Sequence, residues 1–210
     1  MAQITNHTAG NNQRLEAGEP VVLLLHGYGA DERDLPELMS YLPELPWVSP
    51  RAPELSSVGG FSWYQVENPL APDAHAVADA TQKLWQWIDT CVPAESPLIV
   101  LGFSQGGLMA TQLLRTHPER ILGTVILAGF VFDGELDGDS RLLAHRPKVF
   151  YGRGLQDQMI DVERVKNLNS WLQSHTKTVV RKYDGLGHSI DQRVLSDVSD
   201  FFEALLVDGR

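Results

Sequence analysis

The stretch Leu98-Ile99-Val100-Leu101-Gly102-Phe103-Ser104-Gln105-Gly106-Gly107 decides how this chain is read. Its first four residues form a continuous apolar run, the pattern of a strand buried on both faces. The apolar residues that follow, through Leu114, read as a helix. Between the two lies Gly-x-Ser-x-Gly. A serine at the apex of a sharp strand-to-helix turn is held in a strained backbone conformation that projects its hydroxyl outward. Glycines two residues away on either side let strand and helix cross without Cβ collisions. Ser104 is therefore the candidate nucleophile. A phosphate-binding loop is set aside, because the lysine it needs and its spacing are absent.

On both sides of this stretch the apolar pattern switches repeatedly between strand and helix periods. Val21 to Leu25 is a second buried run, ending in His26-Gly27. Leu35, Leu38, Met39 and Leu42 predict a helix with Pro36 in its first turn and Pro43 at its end. A short apolar stretch at Trp47 to Ser49 precedes an irregular segment from Pro50 to Pro72, long enough to line a pocket. Val77, Thr81, Leu84, Ile88 and Cys91 repeat at helical spacing, which gives Cys91 a packing role. Ile121–Leu127 and Lys148–Tyr151 read as strands, and Thr178–Lys182 as an alternating one. Of the last two helices, the first carries Val162, Val165 and Leu172 on one side. The final helix carries Val194, Val198, Phe201, Phe202 and Leu205. This alternation predicts an α/β fold with a mostly parallel central sheet and helices on both faces, spanning residues 1–210 as one domain. In such sheets the reactive site forms at the carboxyl ends of the strands.

A serine hydroxyl becomes a nucleophile when a neutral imidazole takes its proton, and a carboxylate fixes that imidazole's tautomer. Chain order in sites built on this kind of turn is nucleophile, acid, base. Among His117, His145, His175 and His188, only His188 falls in a loop after the last predicted strand, in Asp184-Gly185-Leu186-Gly187-His188. His117 and His175 lie near predicted helix ends, where a cation suits the dipole. His145 precedes a strand, at the wrong end of the sheet. Asp157 follows a strand in Gly152-Arg153-Gly154-Leu155-Gln156-Asp157 and is the candidate acid. Its rival Asp161 reads as the N-cap of the helix carrying Val162. Asp133, Glu135, Asp137 and Asp139 read as a solvated acidic loop. The oxyanion of an acyl transfer needs fixed N–H donors. The Gln105 N–H, at a helix start, is one candidate. The Tyr28 N–H, in His26-Gly27-Tyr28-Gly29, is the other. His26 reads as a hydrogen-bonded organiser of that loop.

Composition excludes several other functions. A net charge of -10 opposes binding to phosphate backbones and anionic lipid, so no nucleic-acid partner is expected. No apolar run is long enough for a membrane span, and Met1 to Pro20 hold no apolar stretch behind a basic start, so no secretory signal is expected. A single cysteine agrees with a reducing compartment, and the cytoplasm is the expected location. No cluster has metal-ligand spacing and no dinucleotide motif is present, so neither a metal nor a cofactor is expected.

His26-Gly27-Tyr28-Gly29-Ala30-Asp31-Glu32, Arg51-Ala52-Pro53, Trp63-Tyr64, the elbow hexapeptide, Gly152 to Asp157 and Gly187-His188 resemble, in order, the phospholipase/carboxylesterase family of the α/β-hydrolase superfamily. That family includes small bacterial carboxylesterases and acyl-protein thioesterases. Around Asp157 this chain departs from the family's usual His-Gly-x-x-Asp, with Gly152-Arg153-Gly154 and two glutamines. The resemblance implies a cofactor-free serine esterase without a large cap domain, often a homodimer, acting on short- to medium-chain acyl esters. A thioesterase or lysophospholipase acting on longer chains is the close alternative. A silent hydrolase fold that only binds ligands is the distant one. Phe61, Trp63, Tyr64, Leu70 and Phe130, all in loops near predicted strand ends, are the expected acyl-pocket residues.

Overall fold

The computed structural model describes residues 3–10, 15–65 and 72–208. In chain order its strands are β1 (His7–Ala9), β2 (Val21–Leu25), β3 (Trp47–Pro50), β4 (Glu54–Leu55), β5 (Phe61–Ser62), β6 (Leu98–Phe103), β7 (Ile121–Leu127), β8 (Lys148–Gly154) and β9 (Lys177–Tyr183). The helices are α1 (Ala74–Cys91), α2 (Gln105–Thr116), α3 (Asp139–His145), α4 (Val162–His175) and α5 (Gln192–Asp208).

Val21, Leu23 and Leu25 face one side of the sheet and Val22 and Leu24 the other, all fully buried. The first set packs with Leu84 of α1, Leu108 and Leu113 of α2, and Leu168 of α4. The second packs with Val198, Phe202 and Leu205 of α5 and with Leu35 and Leu42. A strand with two apolar faces thus needs a helical layer on each side, as its composition demanded. Seven strands among the described residues form one sheet in the order β1-β3-β2-β6-β7-β8-β9. Every neighbouring pair is parallel except β1 with β3. From β2 the sheet grows one way to β3 and the other way to β6, so the order reverses between β2 and β6. The loops leaving these two strands therefore meet at the crevice where ligands bind in open α/β sheets.

The structure departs from the sequence reading in several places, among them strand β1 and the expected alternation along Thr178–Lys182, which is almost wholly exposed. Pro36–Tyr41 is a 3₁₀ helix rather than an α-helix. The segment from Pro50 onward holds a small hairpin, Leu55 pairing with Phe61. Val162 is 70% exposed, because it opens α4 at the surface, and Val165, Leu168 and Leu172 carry the inner face. The acidic loop is not wholly solvated: Asp139 is buried and opens α3. Its two carboxylate oxygens take Arg115 Nε at 2.9 Å and Nη2 at 2.6 Å, and Arg115 also donates to Phe132 O and Gly134 O. Arg115 is fully buried at the end of α2, so these bonds satisfy a charge that water does not reach.

Strand β9 closes one side of the sheet and carries Lys177, Arg181 and Lys182 in exposed positions. Arg146, at the left-handed end of α3 (φ 48°), donates to Gln173 O and Thr176 O and so caps the last carbonyls of α4.

Candidate active site

Leu101 leads into Gly102 and Ser104 sits at the turn into α2 with φ 54° and ψ -115°. A backbone held there costs on the order of 1–3 kcal/mol, supplied by the packing around it. The flanking glycines are required by distance. A Cβ on Gly102 would lie 2.1 Å from Gly106 O, and a Cβ on Gly106 would lie 1.9 Å from Leu25 O. Helix α2 therefore rests directly on the ends of β6 and β2.

His188 reaches this turn from the loop after β9. Its Nε2 is 2.9 Å from Ser104 Oγ, and its Nδ1 is 2.8 Å from Asp157 Oδ2. The second oxygen of Asp157 accepts the Met159 N–H at 2.9 Å and the Ile160 N–H at 3.2 Å. A carboxylate so held takes the Nδ1–H of the imidazole, which leaves Nε2 free to accept the Ser104 hydroxyl. The Asp157 side chain is almost wholly buried while His188 keeps an exposed edge. Phe103 packs against the imidazole, ring centroids 4.9 Å apart. Asp161, the rival acid, instead accepts the Arg164 N–H at 2.9 Å as the N-cap of α4.

The loop after β2 crosses in front of this array. A Cβ on Gly27 would stand 3.6 Å from Ser104 Cβ, so the loop backbone lies against the serine. His26 is fully buried, with Nδ1 2.8 Å from Gly27 O and Nε2 accepting the Ala52 N–H at 3.1 Å. Burial pushes its imidazole below the usual range, which keeps the neutral ring that both contacts require. The carbonyl of Gly27 is thereby drawn to the ring, and the trans geometry of the peptide turns the Tyr28 N–H the opposite way. Among the described residues neither the Tyr28 N–H nor the Gln105 N–H has a hydrogen-bond partner. The Gln105 N–H opens α2 directly after Ser104, and the Tyr28 N–H follows Gly27, whose backbone lies against the serine.

Residues 12–206 match the phospholipase/carboxylesterase family. The chain belongs to that family. It is 24% identical over 217 residues to acyl-protein thioesterase 1 from Kluyveromyces lactis, an alignment covering 92% of this chain and 95% of that protein. Its fold superposes on the Bacillus cereus carboxylesterase with a TM-score of 0.80 at 19% identity, covering 95% of this chain and 93% of the other. Esterase PE8 gives a TM-score of 0.74 at 24% identity, over 97% and 99%. This phospholipase/carboxylesterase member is thus a carboxylic ester hydrolase with the α/β-hydrolase fold and no large cap domain among its described residues. No helix of the described residues is long and apolar enough to cross a membrane.

The expected pocket residues divide. Leu70 lies outside the described residues. Phe61 is half-buried beneath the Arg51 guanidinium, 4.6 Å from its ring centroid, while that guanidinium forks onto both oxygens of Glu32. Phe130 joins Val131, Phe132 and Val162 along a cleft of about 750 Å³ at the ends of β7 and β8. None of Ser104, Asp157 and His188 lines that cleft, whose remaining walls include Asp133, Asp161, Glu163, Arg164, Lys166 and Asn167. Tyr64 joins Tyr28 and Ser62 in a cleft of about 470 Å³ next to the loop after β2. Trp63 is 1% exposed and uses both of its N–H groups within the protein. One feature escaped the sequence reading: the Gln105 side chain is buried and binds Ser62 and Trp63. Its sole sequence signal was its place beside the serine.

Proposed function

We propose that this protein hydrolyses short- to medium-chain carboxylic esters through an acyl-enzyme on Ser104. Ser104 Oγ attacks the ester carbonyl carbon as His188 Nε2 takes its proton. The carbonyl oxygen becomes an oxyanion held by the Tyr28 and Gln105 N–H groups. Collapse expels the alcohol, which receives the proton from His188, and water then attacks the acyl group by the same route. Asp157 holds the tautomer and stabilises the imidazolium. The observation that carries this reading is the unbroken chain from Ser104 Oγ through His188 to Asp157, at 2.9 and 2.8 Å.

That same chain argues against a silent binding fold. We place the activity in the cytoplasm, where the lone thiol of Cys91, pushed up to about 12 by burial, stays unreactive. A thioester substrate has one specific support, the similarity to acyl-protein thioesterase 1. The same array could serve a thiolate leaving group unchanged.

The test is a fluorophosphonate label together with a chain-length series of p-nitrophenyl esters and matched acyl thioesters. Stoichiometric labelling at Ser104, absent in Ser104→Ala, and an optimum at short acyl groups are expected. An unlabelled folded protein overturns the catalytic reading. An optimum at long acyl thioesters replaces the ester assignment with the thioesterase one.

A further inference from the structure

We infer that Trp63 is a positioning residue, a strut whose two N–H groups hold the two oxyanion donors at a fixed separation. This rests on the proposed ester chemistry at Ser104. Trp63 follows β5 and touches the two segments that bear those donors, 37 and 42 residues away in the chain. Its indole Nε1–H donates to His26 O at 2.9 Å. Its main-chain N–H donates to Gln105 Oε1 at 3.1 Å. The indole also lies against the His26 ring, centroids 5.1 Å apart.

On the first side, the carbonyl of His26 is held by Trp63 and the carbonyl of Gly27 by the His26 ring. Both peptide planes around Gly27 are thus fixed, and the second of them carries the Tyr28 N–H. On the other side, the amide of Gln105 is held at both ends. Its oxygen takes the Trp63 N–H, and its Nε2 donates to Ser62 Oγ at 3.0 Å, which donates onward to Tyr64 O at 2.7 Å. Only a neutral amide both accepts and donates in this way. A glutamate here would be a buried carboxylate with no cation among the described groups that bond to this side chain. His26, Ser62, Trp63, Tyr64 and Gln105 are all buried, so the bonds lie in a medium of low polarity.

Preorganised donors stabilise a transition state because they need no reorientation as charge develops. Loss of the indole N–H frees the His26 carbonyl and lets the Tyr28 donor drift, while leaving the serine, imidazole and carboxylate in place. The effect belongs in turnover rather than in substrate binding.

Two variants test this. Replacement of Trp63 by β-(3-benzothienyl)alanine keeps shape and apolarity and deletes the donor alone. Trp63→Phe deletes the donor and some volume. In both, kcat for p-nitrophenyl butyrate is expected to fall about 10-fold, a part of the roughly 10²–10³ that removal of a whole oxyanion donor costs. KM is expected to stay within about twofold, the signature of an interaction realised in the transition state. Affinity for a trifluoromethyl ketone, whose adduct carries the oxyanion, is expected to fall in the same proportion as kcat/KM. Wild-type turnover in the benzothienyl variant, or a KM rise with unchanged ketone affinity, overturns the inference and makes Trp63 a packing or substrate-wall residue. Failure of the Phe variant to fold leaves the isosteric variant to decide. Both variants are expected to take up one fluorophosphonate per chain. Wild type that refuses the label sinks the ester chemistry itself, a separate outcome.

Discussion

Asp157→Asn separates the orientation of the imidazole from everything else the carboxylate does. In the native site one oxygen accepts two main-chain N–H groups, from Met159 and Ile160, and the other accepts His188 Nδ1–H. An amide can offer its oxygen to one of these sides. Facing two donors, the oxygen stays with Met159 and Ile160, and the amide NH₂ turns toward His188. Nδ1 then has to accept, the proton moves to Nε2, and the atom 2.9 Å from Ser104 Oγ becomes a donor that no longer takes the hydroxyl proton. Such a wrong tautomer costs roughly 10⁴ in turnover, or about 5.4 kcal/mol at 1.36 kcal/mol per factor of ten. Because the main-chain bonds survive, stability should change by less than about 1 kcal/mol. Initial rates on p-nitrophenyl butyrate and a thermal melt measure the two separately. Turnover within about tenfold of wild type would refute the assignment of Asp157 as the acid. A collapse in melting temperature would instead show that the loss was one of folding.

Asp161→Ala should leave turnover unchanged and cost about 1 kcal/mol as the loss of a helix cap; a hundredfold drop in kcat would move the acid to Asp161. Asp139→Ala strands the buried Arg115 guanidinium and should cost about 3–5 kcal/mol, a fall of roughly 6–20 °C in melting temperature for a chain of this size. Burial opposes ionisation of Asp139, yet the Arg115 hydrogen bonds win and hold its carboxyl below the ordinary 3.8. Its stabilisation is therefore present above the unfolded value near 4 and is lost as pH falls through the lower folded one. The gap between wild type and Asp139→Ala should accordingly narrow below about pH 4, and a gap that widens there would contradict the pairing.

The parts legible in the sequence were those whose signal is local. Buried parallel strands are written as apolar runs, so β2, β6, β7 and β8 stood out. The turn at Ser104 was legible because backbone collision leaves glycine as the residue that fits at 102 and 106. His188 and Asp157 were placed by strand order, and the structure puts their side chains in one hydrogen-bonded line with the serine. What stayed hidden is non-local. Strand β1 is a three-residue polar edge whose partner lies some forty residues on. Burial of Asp139 depends on an arginine 24 residues away, and nothing in the acidic run distinguishes it from its solvated neighbours. Trp63 reads from the sequence as a pocket residue, and it does line a small cleft with Tyr64, but its hydrogen bonds were not legible there. Its bonds to His26 and Gln105 arise from the meeting of three distant segments.

The cationic outer strand bears on how these molecules behave when crowded. Among the described residues β9 is the last strand of the sheet, and an edge strand of this kind is a template on which another strand could grow. Two copies approaching through it would bring the exposed Lys177 and Lys182 of each toward the other's, Arg181 being paired with Asp197 at 3.6 Å, and the repulsion between the lysines discourages ribbon-like stacking. Replacing those side chains with apolar ones would turn the same surface into a seed for aggregates, with the chemistry at Ser104 untouched until precipitation removed it.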